Sequence, residues 1–143
     1  MVCDITGGFV TGGGWFVSQK GNLKKDPEST GPVTFGFVAR YKEQAAAGNL
    51  EFQYRAGNIN LKSTSLMWLV ISDTSAQFQG IGTINETGTY TFRVLAKDGN
   101  QSAGQTDEFT IRIWEGTNTE ADPIYQAIKS PLSGGNIIVH RKG

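Results

Sequence analysis

An all-β antiparallel sandwich is the fold that these 143 residues predict. Three observations predict it. Apolar side chains recur at every second position through most of the chain, which is the period of a strand whose successive side chains point to opposite faces. Turn-forming stretches separate these runs at short, regular intervals. No segment carries a helical period. KEQAAAG, residues 42–48, favours helix in composition, but it is too short for a stable one and reads as a loop.

The best evidence is a meander over residues 76–114. AQFQGIGTI puts Ala76, Phe78, Gly80, Gly82 and Ile84 on one parity, and TYTFRVLAKD does the same with Tyr90, Phe92, Val94 and Ala96. DEFTIRIWEG repeats it with Phe109, Ile111 and Ile113. Asn85-Glu86-Thr87-Gly88 suits a tight hairpin, with Gly88 free to take positive φ.

Upstream, GFVTGGGWFVS (8–18) reads as a strand weakened by three consecutive glycines, a sign of a bulge or of close approach by something bulky. Trp15 and Phe16 point to opposite faces. Residues 19–31 are polar and turn-rich. PVTFGFVARY (32–41) alternates cleanly, with Val33, Phe35, Phe37, Ala39 and Tyr41 facing one way. NLEFQYRA (49–56) is its partner, with Leu50, Phe52, Tyr54 and Ala56 inward. Gly57-Asn58 turns into a strand begun by Ile59 and Leu61. LMWLVI (66–71) is apolar on both parities, so a strand buried on both faces is expected there, with Trp68 in the core. After the meander, Glu115 to Asp122 is a polar loop closed by Pro123. Ile124, Gln126 and Ile128 hint at a strand, and NIIVH (136–140) is the last. About nine or ten short strands in one domain, 1–143, fit a jelly-roll-like or immunoglobulin-like sandwich.

Composition narrows the function. The 13 basic and 13 acidic residues cancel, which removes the electrostatic footprint of a nucleic-acid binder. Cys3 is the only cysteine, so an intramolecular disulfide and a cysteine zinc cluster are both excluded. A lone cysteine suits a cytosolic protein and a bacterial exported one alike. No run of 18 apolar residues exists, so no membrane insertion is expected. MVCDITGGF has neither the basic nor the apolar region of a signal peptide.

GGFVTGGGW (7–15), TGPVTFGFVARYK (30–42), LEFQYRAGNINLKSTS (50–65) and GTINETGTYTFRVLAKDG (82–99), with DEFTIRIW (107–114) and GGNIIVH (134–140), together resemble one module. It is the module at the C-terminal end of large bacterial surface or secreted proteins, commonly after HYR-type or PKD-type immunoglobulin-like domains. The resemblance covers nearly the whole chain. It implies an extracellular or cell-surface location, neighbouring domains of a parent protein as partners, and an accessory role with no catalytic residues to carry across. It also implies that the chain is excised from a longer protein and that Met1 is an addition. The loop after Ala96 often reads D-G-D in that module; here Asp98-Gly99-Asn100 has one carboxylate fewer.

Enzyme chemistry is disfavoured. His140 is the sole histidine, and no G-x-S-x-G elbow accompanies it. Gly12-Gly13-Gly14 lacks the Lys-Ser/Thr and the helix of a phosphate loop. Two binding sites are weighed instead. Asp98, Asn100 and Asp107 place three oxygen-bearing side chains near adjacent strand ends, where loop carbonyls would complete a calcium shell; the alternative is a hairpin loop with Asp and Asn chosen for turn formation. The outward parity of the meander carries Gln79, Arg93, Arg112 and Trp114, an aromatic among polar groups as a polysaccharide-binding face needs. The alternative there is a Trp114 covered by the loop 115–123. The leading expectation is a non-catalytic module for attachment, adhesion or spacing. The others are a carbohydrate-binding module, with or without calcium, and a structural assembly subunit acting through its edge strands.

Overall fold

The computed structural model describes residues 8–42, 45–99 and 106–140. These form nine strands: β1 Phe9–Ser18, β2 Gly31–Lys42, β3 Ala45–Tyr54, β4 Ile59–Ser72, β5 Ser75–Ile84, β6 Thr87–Lys97, β7 Glu108–Glu115, β8 Tyr125–Pro131 and β9 Gly134–His140. A 3-10 turn, Arg55–Gly57, is the one helical element among the described residues. None there is long and apolar enough to cross a membrane.

Every pairing is antiparallel, and the order across the sheet is β8-β7-β6-β5-β4-β3-β2-β1-β9. Strands β8 and β9 follow each other in the chain yet lie at opposite edges. Only Leu132 and Ser133 separate them. Three residue steps reach at most about 11 Å, so the two edges must come together. The sheet therefore curls until its halves face each other across one core. Strand β4 makes the corner. It pairs with β3 only from Ile59 to Lys62, then carries two bulges against β5, near Thr64 and Met67. Bulges bend a strand and sharpen its twist.

The alternation in sequence becomes the core. Val33, Phe35, Phe37 and Ala39, then Leu50, Phe52 and Tyr54, then Phe92, Val94 and Ala96, then Phe109, Ile111 and Ile113 are all buried. Aromatic rings join the two halves. Phe109 of β7 stacks on Phe35 of β2 at 4.1 Å and lies 5.9 Å from Phe16 of β1. Tyr125 of β8 meets Phe52 of β3 edge-on at 5.4 Å.

Three local expectations change. Strand β3 starts at Ala45, because Ala45 to Gly48 pair back onto β2 where a loop was expected. Ala56 is exposed, since the 3-10 turn takes it out of the strand alternation. Strand β4 is not buried on both faces: the bulges reverse parity, Met67 is 55% exposed, and Trp68 is only half-buried, opposite Gln79 on the outer side. The β5–β6 hairpin forms as expected, with Gly88 at φ 76°. Its turn residue Asn85 also bonds the neighbouring turn, donating to Asn58 O at 2.8 Å and accepting from Asn60 N at 3.1 Å.

The glycines of β1 divide by face. Gly12 and Gly14 point inward. A Cβ on Gly12 would lie 2.6 Å from the Phe37 ring, and one on Gly14 would run into the carbonyl oxygen of Gly134. Gly13 points outward, where the nearest atom to a Cβ is 3.6 Å away. Gly14→Ala is expected to cost at least about 2 kcal/mol as an overpacked site, while Gly13→Ala leaves stability within about 0.5 kcal/mol. Urea unfolding of both variants checks this, and equal losses would contradict the division by face.

Candidate functional site

The carboxylates that suggested calcium sit where the sheet closes. Asp107, 4% exposed, lies just before β7. Its Oδ1 accepts from Gly99 N at 2.8 Å, and its Oδ2 accepts from Ile137 N at 2.6 Å. Asp98 Oδ2 accepts from Val139 N at 3.2 Å. Leu132 N donates to the Asp107 carbonyl at 3.1 Å. Two of these amides belong to β9, an edge strand with no ladder on that side. Three of the four carboxylate oxygens are thus engaged by main-chain N–H groups. Asn100 lies outside the described residues. Among the described residues, no three His, Cys, Asp or Glu side chains gather around a common point.

The four residues of the expected sugar face do come together. Arg93 and Arg112 are direct partners across β6 and β7, and Gln79 is the partner of Arg93 on β5. Arg93 Nε donates to Gln79 Oε1 at 2.8 Å, and its guanidinium lies 5.1 Å from the centre of the Trp114 ring. Arg112 Nε donates to Gln126 Oε1 at 3.2 Å. However, Trp114 is 3% exposed and its indole N–H donates to Ala121 O at 2.8 Å. The loop 115–123 covers it, and Thr91 Oγ1 holds that loop through Gly116 O at 2.7 Å. A covered ring offers no face to a sugar. The arrangement instead pins loop to sheet and gives each arginine its own glutamine.

The exposed indole is Trp15, on the outer face of β1 and 42% exposed. Its position opposite Phe16 in parity was readable in sequence; its freedom from cover was not. His140 ends β9 stacked on Phe9, with ring centres 4.1 Å apart.

One buried hydroxyl pair completes the polar interior. Tyr125 OH and Ser18 Oγ are 2.8 Å apart. Burial pushes the Tyr125 phenol from 10.0 up to about 12, against the lowering pull of Ser18 and Asn22 and with a smaller push from Tyr54.

The family described as "Putative Ig domain" (He_PIG) matches residues 28–113, more than half of the chain, from the loop before β2 into β7. No curated protein and no solved structure matches it.

Asp107→Ala strands the buried amide of Ile137 and the half-buried amide of Gly99, and is expected to cost about 2–4 kcal/mol. Asp98→Ala, at a longer and more exposed bond, is expected to cost about 1 kcal/mol. Excess calcium should leave the wild-type melting midpoint unchanged; a raised midpoint would mean that a cation stabilises the native clasp. The Tyr125 phenol predicts alkaline weakening. Below about pH 10 folded and unfolded chains both hold the proton, and stability is complete. Between about pH 10 and 12 only the unfolded chain ionises, so stability falls as pH rises, by roughly 2–3 kcal/mol at the limit. The wild-type midpoint should therefore drop more steeply across that window than that of Tyr125→Phe. Equal slopes would assign the effect to other tyrosines.

Proposed function

The chain belongs to this family of immunoglobulin-like domains, and on that premise we propose that it is a non-catalytic accessory module for surface attachment. Its setting is an exported bacterial protein, extracellular or at the cell surface, of the kind that ends in such a module after other immunoglobulin-like domains. Its partners are then the neighbouring domains of that protein and an envelope or matrix polymer.

The observation that carries this reading is how the buried polar side chains are used. Ser18 pairs with Tyr125, Gln79 with Arg93, Thr91 with Gly116 O, Asp107 with Gly99 and Ile137, and Thr110 accepts from Lys129 N at 2.9 Å. Each makes a structural bond across strands or onto a loop. Catalytic groups need the opposite arrangement, with unspent donors and acceptors converging on a cleft. What the surface offers instead is exposed sheet. The apolar side chains of Phe9, Trp15, Val17 and Ile138 are exposed on β1 and β9.

A fusion of the chain to a fluorescent protein tests the reading. The fusion should sediment with washed bacterial envelopes, and the fluorescent protein alone should not. A fusion that stays in solution with every envelope tried would reject attachment and leave a spacer.

A further inference from the structure

We propose that the outer face of β9-β1-β2-β3 carries a transverse groove that binds one neutral polysaccharide chain, with a pyranose stacked on Trp15. The proposal rests on the attachment reading and names its site and ligand class.

The starting point is glycine without a structural reason. Gly13 and Gly36 are direct partners across β1 and β2. Neither has positive φ. An added Cβ would find its nearest atom at 3.6 Å on Gly13 and at 4.0 Å on Gly36. Glycine weakens a strand interior, and here neither backbone geometry nor packing demands it. The missing side chains have one consequence: a bare strip of main chain across the face. A depression of about 280 Å³ lies at its β2–β3 end, lined by Thr34, Phe35, Gly36, Glu51 and Gln53.

The cross-strand register lays the groove out. Gly13 pairs with Asn136 on β9, and Gly36 pairs with Glu51 on β3. The strip therefore runs Asn136, Gly13, Gly36, Glu51 across four strands, about 14 Å at ~4.8 Å per strand. One bank is the row containing Trp15 and its partner Thr34. The other is the row of Thr11 and Val38, also partners. Along β1 the banks stand four residues apart, about 13 Å between Cα positions. Asn136 and Glu51 are exposed at the two ends.

Trp15 is set for stacking. Its cross-strand partner is Gly134, where an added Cβ would lie 2.6 Å from the indole nitrogen. The indole nitrogen thus lies close over the bare backbone of Gly134, while the side chain stays 42% exposed. An exposed ring beside a trench suits the apolar C–H face of a pyranose, while amide and carboxylate side chains at the rim bond its hydroxyls. At the strip's far end Glu51 is the cross-strand partner of the exposed Lys62, so opposite charges meet there and the strip has no net positive charge to attract uronate or sulfate groups. The class is therefore a neutral chain of pyranoses, such as a β-linked glucan, mannan or xylan.

Gly36→Thr separates this site from general stickiness. It removes no aromatic ring, it has room, and a β-branched residue suits a strand, so its melting midpoint should match or exceed that of wild type. Trp15→Ala removes the stacking surface. Wild type, both variants and the fluorescent fusion are compared by affinity electrophoresis in soluble β-glucan, glucomannan and xylan, and by pelleting with cellulose and chitin. The expected result is retention of wild type on at least one polymer, weakened at least about tenfold by each variant, a loss of ~1.4 kcal/mol or more. Undiminished binding by Gly36→Thr would overturn the groove. So would wild type binding no polymer while the fusion still sediments with envelopes; the attachment reading would then survive. Failure to bind polymers and envelopes alike would remove both.

Discussion

Two aspartates close this fold. A sheet that curls until its first and last edges meet faces unpaired main-chain groups along both of them, and such groups are costly when buried. Here β8 and β9 share no ladder. The junction is made instead by the Asp107 carboxylate, which bonds amides of Gly99 and Ile137, and by Asp98, which reaches Val139. Charge-assisted bonds of this kind are stronger than neutral ones. They fix where β9 lies against the ends of β6 and β7, and the β1 ladders carry that placement to Asn136, Gly13 and Gly36. The outer face inherits its order from a bond made on the other side of the sheet.

Closure and core depend on each other. The clasp brings β7 over β1–β3, and only then can Phe109 reach Phe35, Phe16, Phe37 and Phe52. These contacts link strands far apart in sheet order, so no meander of neighbouring strands would make them alone. Burial of four rings around one supplies the non-directional force, while the aspartates supply the direction. The corner at β4 is the third element. Its bulges let a single sheet present two facing layers, and their cost is visible in Met67 and Trp68, apolar residues left outside the core.

What was legible in sequence follows the same physics. Period-two alternation is local, so β2, β3, β5, β6 and β7 could be read with their inward faces correct at Phe35, Phe52, Phe78, Phe92 and Phe109. The Asn85-Glu86 turn is local too. Strand order is not, because alternation is identical in a meander and in a Greek key. The fate of LMWLVI was hidden for another reason: a bulge changes parity, and no residue in that run announces one. The aspartates at 98 and 107 were visible as oxygen donors, but each has an amide of β9 as a partner, some 30 to 40 residues away in the chain. Trp114 likewise needed a fact of tertiary structure, the loop that folds back over it. Parity places Trp114 and Trp15 equally on an outer face, and only the loop distinguishes them.

The glycines show how one residue type serves two ends on one strand. Gly12 and Gly14 are forced by the core, since any side chain would enter the Phe37 ring or the β9 backbone. Gly13 lies between them and answers to neither constraint. Were it a device to thin the strand, its partner on β2 would have no reason to be glycine as well, yet Gly36 faces it directly. Two bare positions in register, beside an exposed indole that lies close to a third glycine, make a surface feature rather than a packing one. The inner face of β1 is determined by what must fit beneath it. The outer face is determined by what is left room to lie upon it.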